Sequence, residues 1–392
     1  MASNDAPLAP GLEPQAPRLA RRLLEETGRH PVISVYFDLE PDEFATAPAR
    51  ATEVHSLIDG ARREAPGADT LTHLDRTVLK EDLARVESYL LSDRAPVSGA
   101  RSLAIFCSGQ DDLFEAVQLG STVVPRVVIA PTPLVEPLVA GRDPGRWCVA
   151  LVNSREARVF DGRVERLTER EQVVDDVRGR HRQGGPSQAN YERSVENEID
   201  QHLRHVGTEL YRRWQSDGYS TLVLGGPREV VSRLEQLLHN DLRPVLSSAR
   251  VELDVATAAE SEVRDAACSL LVAVQTEAQS ATLERLWARV GRGDPAVVGL
   301  GAVLEALAEH RVQTVVISWG FAASGGRCPQ CGLLRSAGEG ACPADGTPLA
   351  PVADLRQAVV EQAVLQDAEV LVLEDPPPGR EPSGGIGALL RF

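Results

Sequence analysis

The chain has 392 residues, 43% of them hydrophobic and 25% charged, the proportions of a folded globular protein and not of a disordered one. Its formal charge of -16, from 41 basic against 57 acidic side chains, excludes a surface that coats nucleic acid or anionic membrane indiscriminately, because such binding grows with the number of phosphates neutralised. Any RNA contact must therefore be local, and at this length two or three cores are expected, with three as the working number.

No basic-then-apolar leader opens the sequence, and no apolar run approaches the roughly 20 residues of a membrane span, so a cytoplasmic location and no membrane partner are expected. Aromatic residues are only 4% of the chain, which leaves aliphatic side chains to fill the cores. Cys107, Cys148 and Cys268 sit in apolar runs, where a buried reduced thiol is the default, whereas Cys328, Cys331 and Cys342 cluster.

In chain order, "MASNDAPLAPGL" lacks periodicity and reads as frayed. "APRLARRLLEETG" has helical spacing up to Gly28, and "PVISVYFDLE" is rich in the β-branched and aromatic residues of a strand. Helices follow around residues 50 to 64 and in "LTHLDRTVLKEDLARVESYLLSD", where Leu74, Val78, Leu83, Val86 and Leu90 form the expected apolar stripe. "RSLAIFCSG" and "VVPRVVIAP" read as strands, and the loop "VAGRDPGRW" sets a first domain boundary near residue 145.

"WCVALVNSREARVFDGRVERL" reads as two strands joined at Asn153-Ser154-Arg155, followed by a charged region. Beyond it, Tyr191, Val195, Ile199, Leu203, Val206, Leu210 and Trp214 recur every three to four residues, predicting a long amphipathic helix that stops at Gly218. "YSTLVLGGPREVVSRLEQLLHNDL" is strand, Gly-Gly turn and a helix that can start at Pro227. A second boundary is placed near residue 255, after the strand-like "SARVELDV". The last part alternates helical stretches through "AVVGLGAVLEALAEHRV", a strand "QTVVISWG", the cysteine cluster, a helix "LRQAVVEQAVLQD" and a strand "AEVLVLED", ending in a Pro- and Gly-rich tail read as mobile. The expected domains are 1–145, 146–255 and 256–392, the last with a Cys-rich insertion at 325–350.

Two segments carry candidate chemistry. Arg178, Arg180, His181 and Arg182 precede Gly184, Gly185, Pro186, Ser187 and Gln188, with Arg193 one turn into the long helix. Glycines let backbone approach a partner, arginines contact phosphate, and a helix start offers free amides, a combination aimed at an anion. The plainer alternative is a loop end capped by Ser187 with solvated arginines. A nucleotide phosphate loop is disfavoured, since no Gly-Lys-Ser/Thr follows.

The second segment has the pattern Cys328-x2-Cys331-x10-Cys342-x2-Asp345, two turns that can face one structural zinc, with Asp345 where a fourth cysteine is commoner. The alternative is a degenerate ribbon held by hairpin pairing with free thiols. His30, His55, His73, His202, His205, His239 and His310 are scattered and read as surface or cap residues, and Glu196, Glu198 and Asp200 as a solvated helix face.

The order of strands, basic residues, Gly184-Gly185, Gln188 and a long helix with Tyr191 and Arg193 resembles the middle domain of the archaeal and eukaryotic class 1 peptide-chain release factor and Pelota superfamily, most closely its bacterial, Vms-like or Balon-like branch. "AVVGLGAVLEALAEHRVQTVVISWG" with the cysteine cluster resembles that superfamily's third domain, of L7Ae/L30e type, in which a zinc-ribbon-like insertion occurs. The likeness spans about residues 146 to 375.

It implies a three-domain α/β fold and a factor entering the ribosomal A site. There Gly184, Gly185 and Gln188 position water for peptidyl-tRNA ester hydrolysis in rescue or quality control, while Arg178, Arg180, Arg182 and Arg193 contact RNA. The implied partners are the ribosome with its RNA and peptidyl-tRNA, and a translational GTPase. An amide has no useful proton affinity near neutrality, so the role of Gln188 would be orientation and not base catalysis. Pro186 departs from the pattern, standing where Gln would follow the glycines directly. A non-catalytic hibernation factor is the competing reading, and the absence of an Asn-Ile-Lys-Ser string leaves stop-codon reading without a visible source.

Overall fold

A computed structural model describes residues 15–28, 30–39, 47–64, 72–92, 102–119, 123–140, 145–164, 167–177, 188–373 and 380–392. The chain divides into two compact units, one comprising Pro144–Thr276 and the other joining Pro14–Asp143 to Glu277–Phe392.

The first stretch of the second unit contains α1 (Gln15–Glu26), β1 (Val32–Asp38), α2 (Ala47–Glu64), α3 (His73–Leu91), β2 (Ser102–Ser108), β3 (Leu113–Leu119), β4 (Arg126–Ala130) and α4 (Glu136–Ala140). The strands form an antiparallel sheet in the order β3-β2-β1-β4. Helix α3 starts at a reciprocal capping box: the Asp75 amide donates to the Thr72 hydroxyl at 3.1 Å and the Thr72 amide to the Asp75 carboxylate at 2.9 Å. Its buried face is Leu79, Asp82, Leu83, Val86 and Leu90, which keeps the expected Leu83, Val86 and Leu90, while Leu74 at the start of the helix is exposed. Asp82 is kept on that face by the Gly109 amide, which donates to it at 2.8 Å. Strand β3 escapes sequence reading because Glu115 and Gln118 interrupt its apolar pattern at a sheet edge.

The other unit contains β5 (Trp147–Val152), β6 (Glu156–Gly162), β7 (Thr168–Val174), α5 (Gln188–Asp217), β8 (Thr221–Gly225), α6 (Arg228–Leu237), β9 (Leu246–Val251) and the start of α7 (Glu260–Arg292). Its sheet runs β7-β6-β5-β8-β9, with β5, β8 and β9 parallel and the β5-β6-β7 side antiparallel. Central β5 is buried throughout because it feeds two cores: Cys148, Ala150 and Val152 pack with the α5 side, and Trp147, Val149 and Leu151 with Val263 and Ala267 of α7.

The charged region after β6 is an edge strand, β7, in which Glu169 pairs with the neighbouring strand and Glu171 with Arg213 of α5 at 2.6 Å. Arg158 of β6 makes a two-point contact with Glu169 at 2.9 and 2.6 Å. The Gly-Gly turn after β8 is a packing requirement. Gly226 has φ of 122°, and a Cβ there would lie 2.1 Å from the Val152 carbonyl. Pro227, expected as the first helical position, is instead the N-cap, and α6 begins one residue later at Arg228.

After α7 come β10 (Ala296–Val298), α8 (Leu300–Ala308), β11 (Val312–Ser318), β12 (Gly325–Arg327), β13 (Leu334–Arg335), β14 (Ala350–Val352), α9 (Leu355–Leu365), β15 (Glu369–Leu373) and β16 (Ile386–Leu390). The "AVV" read as helical is strand β10; Gly299, at φ of 90°, separates it from α8. The tail read as mobile is the largest correction. Its last residues form β16, inserted antiparallel between β10 and β11 and buried from end to end. Ile386, Ala388, Leu389 and Leu390 supply the apolar interior that a central strand needs.

Residues of α1, β1 and β2 share one core with α8, β11, α9 and β16. The buried Arg356 of α9 fastens the two stretches, donating to Glu136 of α4 at 2.6 Å and to the carbonyls of Ser318, Trp319 and Phe321. The α/β class is as expected, with a long helix after the glycine segment and a Cys-rich insertion between β11 and α9.

Candidate functional site

The insertion is a three-stranded antiparallel sheet, β13-β12-β14, carrying two turns of one design. In the first, the Cys328 amide donates to the Leu333 carbonyl at 2.9 Å and the Gly332 amide to the Cys328 carbonyl at 2.9 Å. In the second, the Cys342 amide donates to Thr347 at 2.8 Å and the Gly346 amide to Cys342 at 2.8 Å. Gly332 and Gly346 have φ of 75° and 76°, the left-handed conformation that glycine takes without steric cost. Asp345 thus occupies the turn position that Cys331 occupies in the first.

The donor atoms of Cys328, Cys331, Cys342 and Asp345 lie within 4.8 Å of one another. Cys331 and Cys342 sulfurs are 3.5 Å apart, and Cys328 Sγ lies 3.3 Å from Asp345 Oδ2. The Thr347 amide, donating at 2.9 Å, leads in holding the Asp345 carboxyl well below the usual carboxylate range. Although the Leu333 amide favours its thiolate, Cys331 is pushed up to about 12 by the neighbouring Cys328 and Cys342. Four such donors cannot all carry charge so close together without a cation between them, so their chemistry fits a divalent metal. No other comparable group of His, Cys, Asp and Glu occurs among the described residues.

Arg178, Arg180, Arg182, Gly184 and Gly185 lie outside the described residues; Gln188 is the first residue of α5, and Arg193 is exposed on that helix. The residues flanking the glycine-rich segment on either side are held together. Asp175, just after β7, is fixed by its amide donating to the Arg155 carbonyl at 3.0 Å. Its carboxylate meets His202 Nδ1 at 2.6 Å and His205 Nδ1 at 3.2 Å, both on α5. These side chains, with Asp176, Val177, Glu198 and Gln201, line an open cleft of about 340 Å³.

His202 was expected at the surface; it is 1% exposed, and its Nε2 has no partner among the described residues. The α5 spacing carried that signal, since residue 202 falls between Ile199 and Val206 on the buried face. Burial alone would raise the Asp175 carboxyl, but the two imidazoles outweigh it and hold the group below its ordinary value. Of the acids read as solvated, Asp200 instead receives Arg233 of α6 at 2.5 Å.

Residues 133–269 match the model of bacterial archaeo-eukaryotic release factor family 10, and over that segment the chain is similar to that family. No curated protein matches the chain.

Among solved structures, the archaeal translation termination factor aRF1 is 18% identical over 97% of this chain and 100% of its own, with a TM-score of 0.27. Archaeoglobus fulgidus Pelota is 16% identical over 71% of this chain and 76% of its own, at 0.35. S. cerevisiae Dom34, described as a translation termination-like factor involved in RNA quality control, is 10% identical over 74% of this chain and 80% of its own, at 0.40. At these TM-scores the whole-chain superpositions carry no functional inference.

Proposed function

We propose that the protein is a cytoplasmic ribosome A-site factor that hydrolyses the peptidyl-tRNA ester during rescue or quality control. The match of residues 133–269 to a release-factor family carries this reading, because that segment includes the glycine-rich loop and the start of its helix. Gly184 and Gly185 bring backbone amides close to the ester, and the amide of Gln188 orients the attacking water. Arg178, Arg180, Arg182 and Arg193 hold the segment against ribosomal RNA, which reconciles local RNA contact with a charge of -16. Cys328, Cys331, Cys342 and Asp345 hold a structural zinc, supported by the convergence of their donor atoms. A translational GTPase belongs to the same reading as a delivery partner.

One observation favours a second reading, occupancy of idle ribosomes without chemistry. Pro186 follows the glycines, and Gln188 stands on the helix instead of directly after them.

The test measures single-turnover peptide release from stalled ribosome–nascent-chain complexes alongside ribosome affinity. Gln188→Ala should lower the release rate at least about tenfold with affinity nearly unchanged, the mark of an interaction used in the transition state. Arg180→Ala and Arg182→Ala should instead weaken binding and flatten its salt dependence. Equal release by wild type and Gln188→Ala removes the hydrolytic role.

A further inference from the structure

The six thiols differ sharply in surroundings. Burial pushes Cys107 up to about 12 and raises Cys148 as well, so both stay protonated and inert. The ribbon thiols lie where a metal would keep them as thiolates, and among them only Cys331 is exposed, Cys328 and Cys342 being 1% and 2% accessible. Cys331 Sγ also lies 3.5 Å from Cys342 Sγ on the opposite turn. Cys328 Sγ lies 3.3 Å from Asp345 Oδ2, a carboxylate that cannot form a disulfide.

We propose that Cys331 and Cys342 are an oxidation-sensitive pair, which a hydroperoxide converts to a disulfide with expulsion of the ribbon metal. The inference rests on the zinc reading for the expelled ion and on the sulfur geometry for the pair. The exposed Cys331 thiolate attacks the peroxide O–O bond, giving a sulfenic acid and, after protonation, one water. The Cys342 thiolate then attacks that sulfur, forming S–S and releasing hydroxide, which protonates to a second water. Two electrons pass from the two sulfurs to the peroxide, and two protons are consumed.

Closing the gap from 3.5 Å to a bond of about 2.05 Å needs only movement of the two turns, each with a left-handed glycine. The ion is left with Cys328 and Asp345 alone, half of a tetrahedral set. Asp345 is what makes the site asymmetric: a fourth thiolate would hold zinc more tightly and supply a competing sulfur. Oxidation is also felt beyond the ribbon. The Gly332 carbonyl beside Cys331 accepts from Gln362 of α9 at 2.7 Å, and Arg327 of β12 donates to the buried Glu361 of α9 at 2.5 Å.

The experiment treats the purified full chain with stoichiometric hydrogen peroxide after reductant removal. It follows metal release with a chromophoric chelator, free thiols by titration and the linkage by peptide mass mapping. Expected are one zinc ion and two thiols lost per chain, a Cys331–Cys342 linkage, recovery with dithiothreitol and zinc, and release slowed about tenfold in Asp345→Cys. Linkage of Cys328 to Cys331, thiol loss with zinc retained, or equal release from Asp345→Cys overturns the proposal. A reduced chain that neither carries nor takes up zinc overturns the metal reading, and the peptide map of that chain still decides whether Cys331 and Cys342 pair.

Discussion

The ribbon and the root of α5 both crowd polar side chains into a small volume, but they are assembled by opposite means. The ribbon's four donors come from two turns of one short insertion, each closed by its own backbone hydrogen bonds and a left-handed glycine. The root joins Asp175 to His202 and His205 across 27 and 30 residues, and exists only because α5 packs on the sheet beside β7. A cluster built from local turns can be lost without unfolding its surroundings; one built from tertiary packing falls with the core that makes it.

The largest expected effect tests the local half of that contrast. Cys342→Ser should reduce zinc from about one ion per chain to near none and speed amide exchange within residues 325–352, while the main unfolding transition moves little. A large drop in that transition would mean the ribbon supports the core around α9. Arg356→Met tests the long-range principle at its strongest, because it strands the nearly buried carboxylate of Glu136. It should cost about 3–5 kcal/mol in denaturant unfolding.

His202→Ala should cost about 2 kcal/mol, through lost packing and the loss of the shorter of the two imidazole contacts to Asp175. The acid limb carries a sign. Asp175 has a folded pKa below its ordinary value, so its contribution is present above the unfolded carboxyl value of about 4 and is lost as pH falls through the lower folded one. Asp175→Asn should remove that share of the acid-limb loss, read as a shallower fall of the urea midpoint below about pH 4. The smallest effect is local again: Thr72→Ala breaks the α3 capping box and should cost about 1 kcal/mol in thermal unfolding.

The same division governs what the sequence made legible. Cys-x2-Cys and Cys-x2-Asp are short spacings whose turns are written in adjacent residues, so the convergence of these four side chains is legible in the sequence. The amphipathic period of α5 was equally readable. Strand β7 was not, because an edge strand satisfied by cross-strand charge pairs such as Arg158–Glu169 carries no apolar alternation. Nor was β16, since the Pro- and Gly-rich stretch before it masks five residues that become a central strand only when β10 and β11 flank them. Asp175, His202 and Arg356 eluded sequence reading for one reason: their partners are 27 to 220 residues away. Family likeness, and not local chemistry, drew attention to Gln188.

That the chain works on ribosomes is a proposal open to direct measurement. The most direct measurement incubates it with stalled ribosome–nascent-chain complexes and with vacant ribosomes, scoring co-sedimentation and peptide release in the same tubes. Binding to stalled complexes with release that depends on Gln188 is the predicted result. Binding without release, strongest on vacant ribosomes, contradicts the hydrolytic account in favour of occupancy of idle ribosomes, and no binding to either contradicts the ribosomal reading altogether.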